Sequence, residues 1–353
     1  MKRIAIIAHG LTDGGAERVA SILANYFASH EYDVLCVCPY GKDENKVEYQ
    51  IDERVTVKYI EVTSKQSLFR FLSRNRQIKK AVKQFKPEYV ISFINCETLF
   101  LALTKIPIIY TLRTDPQHAR RPGLLSKILD LEYARAYKIV FQTEGARNAF
   151  SKKIQNKSVV IANPLVTKKL PLWKENKHKK VFITACRLHP QKNLDMLIEA
   201  FYMVHQIHPD YRLEIYGEGD LRTSLTEHIH SLKADDYIFL KGYAQNIHTI
   251  MAESSGFVMS SDYEGLSNSM LEALCIGVPC ICTDCPPGGP RDFIENGLNG
   301  FLTSVGDPQE MKEKICKLIE NEELVLLFSE RSLTYRTKLD VDRICAVWQS
   351  LLR

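Results

Sequence analysis

Gly256-Phe257-Val258-Met259-Ser260-Ser261-Asp262-Tyr263-Glu264-Gly265-Leu266-Ser267-Asn268-Ser269-Met270-Leu271-Glu272-Ala273-Leu274 passes from a short apolar run, through a small polar segment, into the start of a helical pattern. The first four residues read as a strand and the last six as a helix. Free backbone N–H groups at a helix start bind anions, and the flanking carboxylates Glu264 and Glu272 accept hydrogen bonds from hydroxyls. That combination suits a ligand that carries both phosphate and sugar. A plainer alternative stands beside it: Ser269-Met270-Leu271-Glu272 fits a capping box, in which Glu272 would bond only a backbone N–H, and Glu264 could be a solvated loop acid.

Outward from this unit the same alternation repeats. Lys2–Ala8, Asp33–Cys38, Val55–Tyr59, Tyr89–Phe93, Ile106–Tyr110, Lys138–Gln142 and Ser158–Ile161 read as short apolar strands, with helical patterns such as Ala16–Ser29 and Gln77–Phe85 between them. After the polar, basic stretch Leu165–Lys180, strands at Val181–Ala185, Arg212–Tyr216, Ile238–Lys241, Gly256–Met259 and Val278–Cys282 alternate with helices at Asn193–His208, Leu221–Leu232 and Ser269–Cys275. Continuous apolar strands separated by helices imply parallel sheets covered on both faces. The chain has 353 residues, beyond the size at which a single core keeps growing. The expectation is an α/β protein of two doubly wound, Rossmann-like domains, over residues 1–164 and 181–334, joined by a linker at 165–180 and followed by a C-terminal helix in 335–353. In such folds ligands sit at the carboxyl ends of strands.

With 45% apolar and 25% charged residues, the composition is that of an ordinary globular protein and excludes a disordered or fibrous chain. The formal net charge of +5 permits an anionic partner without requiring nucleic acid, for which no module is recognisable. Met1–Gly10 is too short for a secretory signal, and no run approaches the ~20 apolar residues that span a bilayer. A cytoplasmic location follows, with the ten cysteines reduced. Cys280, Cys282 and Cys285 cluster without a matching second pair, so they read as small buried hydrophobes rather than a metal site.

Three loops follow strands at the expected places. His9-Gly10-Leu11-Thr12-Asp13-Gly14-Gly15-Ala16-Glu17-Arg18 lacks the G-x-G-x-x-G spacing of a dinucleotide site, but its paired glycines let backbone approach a ligand across an interdomain cleft. In Thr184-Ala185-Cys186-Arg187-Leu188-His189-Pro190-Gln191-Lys192-Asn193, Arg187 and Lys192 can converge on one anion at a helix start, a fork and a point charge suited to a diphosphate. Taken alone, such a pair could equally be solvated at the surface. The third loop is the opening one.

The order of these elements carries a resemblance. Arg187-Leu188-x3-Lys192, Tyr216-Gly217-Glu218-Gly219, Gly242-Tyr243, Glu264-x7-Glu272, Pro287-Gly288-Gly289-Pro290-Arg291 and Gly297-Leu298-Asn299-Gly300 together resemble the GT-B glycosyltransferases of family 4, retaining enzymes that use nucleotide sugars. The likeness is strong across Lys180–Leu302 and weaker at Gly14-Gly15-Ala16-Glu17-Arg18. Pro287–Ile294 and Asn296–Gly300 look like members that build bacterial surface polysaccharides and lipid-linked oligosaccharides.

The resemblance implies roles. Arg187 and Lys192 would hold the donor diphosphate and offset its growing charge. Glu272 would accept from ribose hydroxyls and Glu264 from those of the transferred sugar, as a positioning residue rather than a base. Gly265, Leu266 and Ser267 would present N–H groups, Gly15 would add backbone from the first domain, and Tyr243 and Gly217 would lie near the base. The departing phosphate oxygen would take the acceptor's proton, so no protein nucleophile is implied. The nucleotide would be UDP, which the resembled enzymes mostly use. Two departures stand out. Tyr110-Thr111-Leu112-Arg113-Thr114-Asp115-Pro116 lacks the histidine many members carry, and retains Arg113, assigned to the acceptor side, with Leu112 where a related branch has an acid and His118 nearby. Cys186 replaces a usual glycine.

No metal or other cofactor is expected. Asp340-Val341-Asp342 is the lone Asp-x-Asp, and it reads as the cap and first turn of a helix over Asp340–Leu352. The expected partners are a nucleotide-sugar donor and a glycan acceptor on a polyisoprenoid diphosphate. Between Ser64 and Pro87, Lys65, Arg70, Arg74, Arg76, Lys79, Lys80, Lys83 and Lys86 interleave with Leu68, Phe69, Phe71 and Leu72. Such a stretch can lie peripherally on anionic membrane, or be a core-packed helix with a solvated basic face. Two other functions share the architecture: a sugar-nucleotide epimerase, which needs further carboxylates in the first domain, and a non-catalytic sugar-nucleotide-binding protein, which has no need of Glu-x7-Glu.

Overall fold

The computed structural model describes residues 2–12, 14–41, 49–62, 66–119, 123–174 and 178–352. Asp13 of the first glycine loop, Ser64 and Lys65 of the basic stretch, and residues 175–177 of the expected linker lie outside them. The chain divides into two compact units, Met1–Pro164 with Val341–Arg353, and Leu165–Asp340.

The first unit holds strands β1 (Lys2–Ile7), β2 (Tyr32–Cys38), β3 (Val55–Tyr59), β4 (Tyr89–Ser92), β5 (Ile108–Leu112), β6 (Lys138–Phe141) and β7 (Ser158–Val160). Helices of eight or more residues are numbered, here α1 (Gly15–Ser29), α2 (Ser67–Phe85) and α3 (Leu124–Arg135). The order is β3-β2-β1-β4-β5-β6-β7, with every pair parallel. Alternate strand residues feed opposite faces, as a period of two requires. Ile4 and Ile6 join Leu23 and Phe27 of α1, while Ala5 and Ile7 join Ile78 and Val82 of α2.

α2 begins ten positions before the expected Gln77. Asn75 is the reason: its side chain is buried, donates to Phe71 O at 3.1 Å and accepts from Phe100 N at 3.2 Å. A polar residue that interrupts the apolar spacing is thus built into the helix core. The buried face is Asn75, Ile78, Ala81 and Val82, whereas Leu68 and Phe69 are 62% and 60% exposed.

The second unit carries β8 (Lys179–Ala185), β9 (Arg212–Tyr216), β10 (Ile238–Gly242), β11 (Ser254–Met259), β12 (Cys280–Thr283) and β13 (Gly300–Thr303), with helices α4 (Leu194–Ile207), α5 (Arg222–Ser231), α6 (Asn268–Ile276), α7 (Pro308–Ile319) and α8 (Glu322–Leu333). The sheet runs β10-β9-β8-β11-β12-β13, also parallel throughout. Phe182, Ile215, Val258, Ile281 and Phe301 pack with Leu197 and Phe201 of α4 and Met311 of α7. In each sheet the order reverses once, between β1 and β4 and between β8 and β11. Those two switch points are where a doubly wound fold places ligands.

Residues 165–174, expected as part of a linker, are instead built into the second unit. Leu165, Leu170 and Trp173 are buried, and apolar side chains within a basic stretch are enough to dock it. Trp173 Nε1 donates to Ser254 O at 2.8 Å, and Arg336 donates to the carbonyls of Thr167, Leu170 and Cys275. The returning helix α9 (Val341–Ser350) therefore starts later than 335, and lays Ile344, Cys345 and Trp348 on the α1 face of the first sheet. Asp342 sits in its first turn, and Asp340 accepts from Thr167 Oγ1 at 2.6 Å. Cys280, Cys282 and Cys285 are buried, and burial raises all three thiols, Cys285 to about 12.

Candidate functional site

At the second switch point the loop after β8 and the loop after β11 are laced together. Asp262 N donates to Gln191 O at 2.9 Å, Asn193 Nδ2 to Asp262 Oδ1 at 2.7 Å, and Ser260 Oγ to Lys192 O at 2.7 Å. Asn193 holds a left-handed φ of 44° and caps α4 by accepting from Met196 N, so the turn that presents Lys192 is defined on both sides.

Lys192 Nζ pairs with Glu264 Oε1. The pair is mostly buried, with 18% and 8% of the side chains exposed. Glu264 accepts further from Ser261 Oγ at 2.9 Å and Gln191 Nε2 at 3.4 Å, and its own N–H donates to Pro286 O at 2.9 Å. A buried ion pair is retained only when its remaining hydrogen bonds are met, and here the carboxylate has three side-chain donors. Thr184, Cys186, Lys192, Ser261, Glu264 and Ser267 line a small recess at this point.

The helix start beside the recess differs from the capping box. Ser267, not Ser269, is the cap of α6, and it accepts from Met270 N. Ser269 Oγ donates to Ala185 O at 2.6 Å, tying α6 to β8. Glu272 is thereby released from a capping role. Its carboxylate is buried and lies 3.3 Å from His248 Nε2, outside the recess that holds Glu264. Gly265 and Leu266 precede the cap, so their N–H groups lie outside the helix, and the open N–H groups of α6 begin at Asn268.

Arg187 is exposed. Tyr243 is 80% exposed at the end of β10. Gly217 has φ 128°, and a Cβ there would meet Cys186 O at 1.8 Å, so close approach of the β8 and β9 ends requires glycine at that position. Gly15 opens α1 in the first unit, behind Gly14 at φ 143°. Two residues escaped sequence reasoning. Gln191 sits inside the Arg187–Lys192 loop and bonds Tyr263 O at 2.7 Å as well as Glu264. His248 stands in a short helix, Ile247–Ala252, whose sequence has no motif to mark it.

Arg113 lies in the first unit. Its Nη1 donates to Asn163 Oδ1 at 2.7 Å, its Nε reaches Thr111 Oγ1 at 3.3 Å, and the guanidinium lies over Phe93 at 5.0 Å and Trp348 at 5.7 Å. Burial pulls its pKa below the usual arginine range. His118 pairs with Asp115 at 2.8 Å. Among the described residues, no three His, Cys, Asp or Glu side chains are grouped to hold a metal, and no helix is long and apolar enough to cross a membrane.

This architecture and these motifs have counterparts. Residues 168–333 match the family of glycosyl transferases group 1, and residues 13–169 match glycosyltransferase family 4. An uncharacterized glycosyltransferase of Haemophilus influenzae is 26% identical over 346 residues, 96% of each chain. The amylovoran biosynthesis glycosyltransferase AmsD of Erwinia amylovora is 23% identical across 100% of both. Among solved structures, Anabaena HepE in complex with UDP and glucose superposes with a TM-score of 0.83 at 17% identity, covering 100% of this chain and 99% of that one. The two parallel sheets are thus those of the GT-B fold, and the chain belongs to the family 4 glycosyltransferases.

Proposed function

We propose that the chain transfers a hexose or N-acetylhexosamine, with retention, from a UDP-sugar to a glycan acceptor carried on a polyisoprenoid diphosphate, in surface-glycan assembly. The observation that carries this reading is the Lys192–Glu264 pair at the second switch point, beside the capped start of α6. It sets a cation for phosphate and a carboxylate for sugar hydroxyls side by side. AmsD, named for amylovoran biosynthesis, and HepE, solved with UDP and glucose, support the substrate class.

In this reading Lys192 and Arg187 bind the diphosphate, and N–H groups of Gly265, Leu266 and Ser267 face its oxygens. Glu264 orients the sugar and Glu272 the ribose, with Tyr243 and Gly217 toward the base. As the sugar C1–O bond to phosphate breaks, the acceptor oxygen bonds C1 on the same face and its proton passes to the departing phosphate oxygen. Lys192 and Arg187 offset the charge that develops there, which is the work a metal does in other transferases. The second unit is the donor domain and the first the acceptor domain. The acceptor-side role of Arg113 has less support, because Asn163, Thr111, Phe93 and Trp348 already engage its guanidinium.

Exposed Leu68 and Phe69 beside the exposed Arg70, Arg76, Lys80 and Lys83 support peripheral contact of α2 with the cytoplasmic face of an anionic membrane, at about 1 kcal/mol per cation near the surface. The test of the main reading is incubation with a panel of nucleotide sugars, with and without glycan acceptors. UDP release that requires an acceptor supports it. A new sugar nucleotide without release would identify an epimerase, and binding without turnover a non-catalytic protein.

A further inference from the structure

Lys192 and Glu264 hold one another where each is needed by a different part of a nucleotide sugar. Among the described residues, Glu264 is the one acid with which Lys192 Nζ forms an ion pair. The same oxygen, Oε1, accepts from Ser261 Oγ at 2.9 Å, while Oε2 meets Gln191 Nε2 at 3.4 Å. Gln191 has a nearer partner in Tyr263 O, at 2.7 Å. The recess that the pair lines leaves about 10 Å³ free, the room of a single water. As the pair stands, no phosphate or sugar group fits into it.

A phosphate and a carboxylate are like charges, and here they compete for one ammonium. With 8% of its side chain exposed, Glu264 has little bulk water to replace a lost Lys192. A buried carboxylate that loses its cation is strongly disfavoured unless other donors take over. Ser261 and Gln191 remain, two donors for a group that can accept about four. The neighbouring acid Asp262 is engaged by Asn193, and Arg187 is exposed. A nucleoside diphosphate that draws Lys192 away therefore leaves Glu264 short of partners. A nucleotide sugar draws Lys192 away and brings hydroxyls to donate in its place.

We propose that Glu264 makes the site selective for the sugar-bearing nucleotide over the nucleoside diphosphate left after transfer. The diphosphate takes Lys192, the sugar hydroxyls take Glu264, and the free protein closes on itself again when the sugar has gone, which favours release of the product. Gln191 and Ser261 are positioning residues that keep the carboxylate in place through the exchange. The inference rests on the glycosyl-transfer reading, and it goes beyond it in making the ion pair a competitor of the product.

The test is titration calorimetry on the full chain, without acceptor, using UDP, UDP-glucose, UDP-galactose, UDP-N-acetylglucosamine and UDP-N-acetylgalactosamine. The wild type is expected to bind at least one sugar nucleotide more tightly than UDP. Glu264→Gln should tighten UDP about tenfold and abolish that preference. In a Lys192→Gln background the same substitution should change UDP affinity by less than about threefold. Direct repulsion between carboxylate and diphosphate is common to both backgrounds, so the difference isolates the contest for the ammonium. Gln191→Met removes a carboxylate donor and leaves both charges, so it serves if the charge variants do not fold. It should weaken UDP more than the preferred sugar nucleotide. UDP binding at least as tight as every sugar nucleotide in the wild type, unchanged or weaker UDP binding by Glu264→Gln, equal tightening in both backgrounds, or an equal effect of Gln191→Met on all ligands would each overturn the inference while leaving the donor site in place. Failure of the wild type to bind any of the five would overturn the donor reading, and this inference with it.

Discussion

The two sheets reverse at comparable switch points, yet the residues gathered there come from different kinds of sequence. In the second unit, Lys192 and Glu264 lie on the two loops that flank the β8–β11 reversal, each within ten residues of its strand. In the first unit, His9 stacks on Tyr40, and Tyr40 and Arg74 both donate to Glu97, so residues from three loops and the middle of a helix meet. A site built on two loops leaves a spacing that can be read. One assembled from four distant segments leaves residues that look ordinary one by one, and only the fold brings them together.

Several substitutions can break or sharpen that contrast. Lys192→Gln and Glu264→Gln each keep a polar partner in the buried pair while removing one charge, and transfer should fall about 100- to 1,000-fold. Loss of stability without loss of rate per folded molecule would reduce the pair to a structural bridge. Gly217→Ala is next. Its Cβ would press on Cys186 O from 1.8 Å in a backbone conformation that favours glycine, so thermal melting should report a loss of roughly 3 kcal/mol. A neutral result would mean the β8 and β9 ends separate easily.

In the first unit Glu132 is fully buried beneath the loop after β4, where it accepts from Cys96 N and Thr98 N. Burial raises its carboxyl to about 7, against roughly 4.3 when unfolded. The folded state then binds the proton more tightly. Its contribution is full below the unfolded value and is lost as pH rises through about 7, each unit of separation being worth about 1.4 kcal/mol. The melting temperature should therefore decline between about pH 5 and pH 7, and Glu132→Gln should flatten that decline. A smaller effect belongs to His248→Ala, which frees Glu272 of its imidazole neighbour and should change the donor KM by about fivefold with little change in kcat. Equal changes in both would place His248 in the chemistry.

The second unit was the more legible because its loops carry spaced charges behind apolar strands: Arg187, Lys192, Glu264 and Glu272 stand where the alternation predicts strand ends and helix starts. What escaped has local causes. α2 runs through a buried Asn75 that breaks its apolar period. β13 is four residues long and follows a glycine turn, too short to show a period. The stretch after Pro164 reads as a linker from its lysines, but Leu165, Leu170 and Trp173 dock it. The capping box at Ser269–Glu272 is a sequence coincidence, because Ser269 bonds β8 and Ser267 takes the cap. The partnership of Arg74, Tyr40 and Glu97 has no sequence signal at all, since their separation along the chain is set by the sheet order.

The central claim is that the second switch point, and not the first, holds the nucleotide sugar. Titration calorimetry of UDP onto the wild-type chain, Lys192→Gln and Glu97→Gln tests it directly. The expected result is tight binding to the wild type and to Glu97→Gln, with affinity for Lys192→Gln reduced about tenfold or more. Undiminished UDP binding by Lys192→Gln, or its loss in Glu97→Gln, would contradict the assignment of the donor site.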